Sequence, residues 1–344
     1  MRILSLAGAA MAVAIVFNAP VCFAQETVAE FYKRNKIDFY IAGAAGGALD
    51  LHGRMIVPYL TKHIPGNPTV LPKALPGAGG AKLANFMYTV APKDGTAIAN
   101  ALPYIAVMQA VKAPEAQYDA ARYTYLGSIA PINSVMATWN ATTPAKTFED
   151  MKKTEVIVGA TARSSVTYII PTITNQHLGT KYKIVTGYTS TAPIMVAMER
   201  GEIHGRAADF EGILGPHPDW LEKKLVTLHF YTGLEVDPSM PGVPRLIDLA
   251  TTAEQRELLE FISSGSALGR VYLAPPDVPK DRAAALKKAF WDAVNDPDYK
   301  KFMTDRRLLV NPKDGAAMEA VVARTLAANP KVIDQAKDLF AVSE

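Results

Sequence analysis

Two short glycine runs are the residues through which this chain would hold something: Gly46 and Gly47 in AGAAGGALD, then Gly77, Gly79 and Gly80 in PGAGG. With no Cβ, each glycine lets a backbone N–H approach a ligand closely. Each run also opens a helix-forming stretch, whose free N-terminal amides and partial positive charge favour an anion. A carboxylate is held in this way without any Arg or Lys. Tight strand-to-helix turns use glycine too, so one run alone says little. Here two Ser/Thr-rich loops follow, Ala162-Arg163-Ser164-Ser165 and Tyr188-Thr189-Ser190, and the four together point to a binding cleft. Serine hydroxyls donate to a carboxylate and Arg binds one bidentately. The plainer alternative makes Ser164 a helix cap and leaves Arg163 in solvent. Asp50 opens its helix where an acid complements the dipole. Asp209 and Glu211 follow Arg206 in a cluster that reads as solvated charge.

Other chemistries fail on spacing. The six histidines, His52, His63, His177, His204, His217 and His229, are scattered, and only His204 stands out for its neighbours. There is no G-x-S-x-G elbow and no H-E-x-x-H pair. Lys82 follows PGAGGA, but no Ser or Thr comes after it, and residues 43–47 lack the dinucleotide pattern. No ATP or NAD site is expected, and no cofactor. An exported hydrolase using Ser164, Ser165 or Ser266 would need a base that no His or Lys is spaced to supply. The chain therefore reads as a binding protein, not an enzyme. Tyr40, Tyr104, Tyr188 and Phe210 are candidates to line a pocket for an aromatic acid.

The elements that must position these loops alternate between strand and helix, the pattern of an α/β fold. Strands are expected at 37–42, 69–75, 96–101, 156–159 and 183–185. Helices are expected at 49–62, 81–90, 166–177 and 192–200, with loops 43–48, 76–80, 160–165 and 187–191 between strand and helix. Two separated pairs of such units imply two doubly wound domains. The apolar segment 123–137, interrupted at Pro131, reads as a strand leaving one domain for the other, with a return around 263–274. Helices at 281–295 and 296–307 then come back to the first domain. The expected division is 25–130 plus 266–344 for one lobe and 131–265 for the other, joined by a two-strand hinge.

At 344 residues the chain is long enough for two cores. Its 49% hydrophobic content excludes wholesale disorder. A net charge of +3, with no block of five Lys or Arg, gives no footprint for nucleic acid. Residues 1–24 have the order of a secretory signal: Arg2, an apolar run over 3–17, and small residues before a cut behind Ala24. The run is short for a bilayer span. The only cysteine, Cys22, lies inside this segment, so disulfides and thiolate chemistry are excluded from the mature chain. The expectation is a soluble, exported monomer.

These loops resemble a known family, the periplasmic solute-binding receptors of tripartite tricarboxylate transporters, or Bug receptors. IAGAAGGALD at 41–50 is similar to the family's first loop, and PGAGG at 76–80 to its second. Lys93-Asp94-Gly95-Thr96 resembles its Asp-Gly turn, shifted by one residue inserted after Pro92. Segment 187–202 ends in the Gly-Glu pair, and 273–279 resembles the Ala-Pro…Pro return. The resemblance implies a type II periplasmic-binding-protein fold whose two lobes close on a small carboxylate, dicarboxylate or aromatic acid and deliver it to membrane transporter subunits. It places Gly46, Gly47, Ala78, Gly79 and Gly80 at one carboxylate, beside the helix-opening Asp50. It places Ala162, Arg163, Ser164, Ser165, Tyr188, Thr189, Ser190 and Asp209 toward the far end. Ala45 replaces the usual Pro, His204 stands where an Asp is expected, and Arg163 is bulkier than the usual residue, which would suit a second carboxylate. Receptors of TRAP-type transporters and of sensory systems are the neighbouring alternatives.

Overall fold

In a computed structural model, which describes residues 26–43, 45, 48–161, 165–214 and 217–340, the strands assemble in two separate sheets. β1 (Ile37–Ile41), β2 (Val70–Ala74), β3 (Ala97–Asn100) and β4 (Thr124–Ser128) belong to the first. β5 (Ser134–Trp139), β6 (Val156–Gly159), β7 (Tyr182–Val185), β8 (Gly205–Asp209) and β9 (Val226–Tyr231) make the second. β10 (Val271–Ala274) and β11 (Lys313–Asp314) return to the first, giving the order β11-β4-β10-β3-β1-β2. The second sheet runs β7-β6-β8-β5-β9.

Both sheets are covered on both faces, which is why their strands read as short apolar runs. On the first, Phe39, Tyr272, Phe290 and Tyr299 pack one layer, and Leu83, Met87, Tyr123 and Leu273 the other. On the second, Val135, Ile194, Met198 and Trp220 pack one layer, and Met136, Val158, Ile170 and Leu258 the other. Two doubly wound lobes result. β1 is parallel to β2 and β3, and β6 is parallel to β7 and β8. The connections leaving β1, β2 and β3 therefore share one edge of their sheet, and those leaving β6, β7 and β8 share one edge of the other.

The expected single strand at 123–137 is two strands. It breaks at 129–133, where Pro131 has no N–H to give a ladder. This segment runs antiparallel to the return: Ile132 N donates to Ser266 O at 3.0 Å, Arg270 N to Ala130 O at 3.0 Å, and Ile129 N to Arg270 O at 3.2 Å. The hinge thus has two strands of chain. The first half of the expected return is, however, helix: Ala253–Leu268 ends only at Gly269, with φ +52°. Ser263, Ser264, Gly265 and Ser266 carry no apolar stripe because they pack tightly; a Cβ on Gly265 would overlap the Tyr104 ring. The last described helix, Pro330–Phe340, lies against Ala253–Leu268 and Val166–Leu178. No described helix is long and apolar enough to cross a membrane. The expected signal segment, 1–24, falls outside the described residues.

Candidate functional site

Helix starts differ in how they are capped. Away from the loops, Thr27, Thr147, Thr252, Asp296 and Asp314 cap their helices through side-chain oxygens. At the loops, helices Ala81–Thr89, Val166–Leu178 and Thr191–Glu199 begin behind Gly80, Ser165 and Ser190 with no side-chain cap. Helices Ile105–Ala110, Asp219–Glu222 and Lys280–Asn295, behind Tyr104, Pro218 and Pro279, also lack a side-chain cap, the last following antiparallel β10. A capping side chain would satisfy one of the free N–H groups. At β2, β6 and β7 no side chain takes that role, although Ala81 N donates to Ala78 O and Tyr168 N to Ser165 O.

In the first lobe the loop presents backbone. Gly77, Ala78, Gly79 and Gly80 have φ of +139°, +46°, +57° and +95°. Gly80 N donates to Gly77 O at 2.9 Å and closes the turn. A Cβ on Gly80 would stand 2.8 Å from Leu102, whereas one on Gly79 would meet only Met108 Cε at 4.0 Å. Gly80 is thus packed and Gly79 faces open space. Gly46 and Gly47 lie outside the described residues. Asp50 is buried in the first turn of helix Ala48–His63, where it accepts from Arg54 Nε at 2.9 Å.

In the second lobe the loops add side chains to their helix starts. Ala162, Arg163 and Ser164 lie outside the described residues. Ser165 accepts from Thr161 Oγ1 at 3.1 Å and contacts the Thr167 hydroxyl. Tyr188 is half-buried against Gly159, while Thr189 and Ser190 are exposed. Asp209, at the end of β8, is exposed and accepts from Ser134 Oγ at 2.9 Å. Tyr104, from the first lobe, bonds Ser266; burial, and then Asp209, push its hydroxyl up. Ser266 Oγ lies 2.7 Å from Thr232 Oγ1, so the Tyr104 hydroxyl is tied into the hinge. Of the other aromatic candidates, Tyr40 packs on Phe86 at 4.7 Å and Phe210 is buried in the second lobe's core.

Three readings change. His204 stands at the start of β8, at the end away from the loops, and its Nδ1 accepts from Ile157 N at 3.0 Å, a structural bond. The charges at Arg206 and Glu211 are not merely solvated. Arg206 is only 2% exposed. Its Nη1 donates to Thr191 O at 3.2 Å and its buried Nε has no partner. No described carboxylate lies within ion-pair distance of it. Burial lowers its pKa to about 10, against a smaller opposing pull from Asp209. Glu211, in helix Phe210–Leu214 of the second lobe, reaches the first. It pairs with Arg270 and accepts from Leu309 N at 2.9 Å. His52 Nε2 lies 3.3 Å from Arg270 Nη2. Burial, and then Arg270, push His52 down to about 3, so its Nε2 is an acceptor and the ring is neutral. Strand β8 was missed because GRAAD has no β-branched or aromatic residue. The available signal was one arginine enclosed by small apolar residues.

A cavity of about 380 Å³ opens beside the Glu211 contact, lined by Asn133, Asp209, Arg270 and Arg307 among others. Loops 77–80 and 187–190 do not border it. Among the described residues no group of three His, Cys, Asp or Glu could hold a metal.

No protein-family model matches the sequence, and no curated protein does. Solved structures do. A TctC solute-binding protein from Polaromonas is 16% identical with a TM-score of 0.67, over 88% of this chain and 99% of that one. MatC from Rhodopseudomonas palustris, solved with bound malate, is 18% identical with a TM-score of 0.58, over 89% and 99%. Another R. palustris protein, solved with adipate, is 16% identical with a TM-score of 0.62, over 88% and 97%. Over the 88–89% of the chain that these structures cover, it has their two-lobe fold.

Proposed function

We propose that this protein is a periplasmic solute-binding receptor of the Bug type, which captures a small organic acid by lobe closure and delivers it to a tripartite tricarboxylate-type membrane transporter. The observation that carries the reading is the set of uncapped helix starts at the β2, β6 and β7 loops, while Thr27, Thr147, Thr252, Asp296 and Asp314 cap helices elsewhere. Such ends are built for an anion. Malate and adipate in two proteins of the same fold support a carboxylate. Closure needs only that the ligand touch both lobes, because those contacts favour the closed state over the open one. No chemical step is required. Gly46, Gly47, Ala78, Gly79 and Gly80 take one carboxylate; residues 162–165 and 188–190 and Asp209 take the far end. In this reading the signal is cut behind Ala24, the receptor acts as a monomer, and the lobes divide near residues 130 and 266.

The test is thermal unfolding of residues 25–344 against mono-, di- and tricarboxylates and aromatic acids. A ligand at about 100 times its Kd adds about 2.7 kcal/mol. Small-angle scattering with that ligand should show compaction. Silence across the panel, together with no acid in the denatured extract by mass spectrometry, would remove the organic-acid assignment. A hit without compaction would remove lobe closure. A sensory receptor would bind identically, and a transport defect on gene deletion separates the two.

A further inference from the structure

Arg206 is a buried cation with no answering anion. Its guanidinium has one backbone carbonyl, Thr191 O, and a buried Nε with nothing to bond. A fixed buried charge in this condition is costly, and a neutral side chain would fill the space at less cost. The one carboxylate that acts on it electrostatically, Asp209, is turned to Ser134 Oγ. Packing therefore does not account for the charge.

Its place in the fold does. Gly205 pairs with Val158 in parallel register, so Arg206 lies level with Gly159, the last residue of β6. It shares a strand face with Ala208, which packs with Ile194 and Met195 of helix Thr191–Glu199. That helix starts behind an extended Ser190 with no side-chain cap. An unpaired guanidinium nitrogen and a free helix N-terminus thus meet at one turn of chain, on the loop edge of the second lobe. They come from different elements, and both favour a negative group.

We propose that Arg206 and the N-terminal amides of helix Thr191–Glu199 bind the ligand's second carboxylate, so that this receptor selects dicarboxylates over monocarboxylates. The proposal rests on the receptor reading above and assigns the ligand class within it. The first lobe, whose described grip is the backbone of 77–80, holds one carboxylate; closure brings the other to Arg206.

The experiment compares binding of length-matched pairs, succinate with butyrate and adipate with hexanoate, to the wild-type chain, Arg206→Met and Arg206→Lys by calorimetry, with melting of each unliganded protein. A dicarboxylate should bind the wild type at least about 100-fold more tightly than its monocarboxylate partner. Arg206→Met should erase that preference and melt no lower than wild type, because it removes an uncompensated charge. Arg206→Lys should keep part of the preference. Equal binding of mono- and dicarboxylates by the wild type overturns the inference and leaves the receptor reading standing. So does an Arg206→Met variant that melts lower yet keeps the preference, which is the mark of a structural arginine. Should Arg206→Met fail to fold, Arg206→Lys decides: a preference undiminished by losing the guanidinium fork overturns the assignment. Absence of binding by any acid in the wild type, with none in the denatured extract, fails the receptor reading itself.

Discussion

The two lobes present their loops to the cleft in different materials. The first offers backbone, four consecutive residues with positive φ at 77–80. The second offers side chains, the exposed Thr189 and Ser190 and the buried Arg206. A backbone site recognises what every carboxylate has in common, and changes only when atoms are added. A side-chain site can be altered one residue at a time without disturbing the chain path. In the proposed receptor, generic affinity would thus belong to the first lobe and discrimination to the second.

The sharpest way to break this contrast is Gly80→Ala. It forces a Cβ at φ +95° to within 2.8 Å of Leu102 and should cost about 2–4 kcal/mol in denaturant unfolding. Gly79→Ala at φ +57° meets open space and should cost only about 1 kcal/mol, while binding falls for all carboxylates alike. A selective loss for one acid would mean that the first lobe discriminates after all.

Next in size is Glu211→Gln, which leaves Arg270 without its anion and should cost about 1.5–3 kcal/mol. Because that pair joins the lobes, the variant's unliganded scattering profile should expand. An unchanged profile would show that the lobes are held by the hinge alone.

Acid gives a smaller and graded effect with one probe in each lobe. Burial pushes His52 to about 3 in the first lobe and His229 to about 4 in the second. Between about pH 6.5 and these values the unfolded chain binds protons that the folded one does not, so stability falls as pH falls. Each contributes at most about 1.4 kcal/mol per pH unit. His229→Gln should flatten the pH dependence of melting. If the lobes melt separately, only the second lobe's transition will respond. The smallest effect is Ala78→Gly: relief of the left-handed strain at φ +46°, less the added freedom of the unfolded chain, should gain about 0.5 kcal/mol with binding unchanged.

The same contrast governs what could be read from the sequence. Glycine runs announce backbone geometry directly, so the 76–80 loop and the strands and helices beside it were legible within a residue or two. Arg206 was not, because burial is a property of the assembled sheet and GRAAD carries no periodic signal of its own. Helix Ala253–Leu268 was half-misread because Ser263 to Ser266 are chosen for closeness to Tyr104, and small residues erase the apolar stripe that marks a helix. The Glu211 to Arg270 contact spans 59 residues of sequence and two lobes, beyond the reach of any local pattern.

The position of β10 carries one more consequence, for how the chain reaches this state. β5 to β9 follow one another along residues 134–231, so the second lobe's sheet is complete once that stretch exists. In the first lobe, β3 and β4 touch only through β10, at residues 271–274, and β4 gains its outer neighbour only at 313–314. Closing that sheet requires contacts across more than 140 residues, from Val271 to Ser128, a slow search in any polypeptide. The second lobe's sheet should therefore form first, and the first lobe's sheet should stay open until nearly the whole chain is available. If the chain is exported unfolded, as the proposed function requires, late completion would keep the N-terminal lobe from settling before its passage is over.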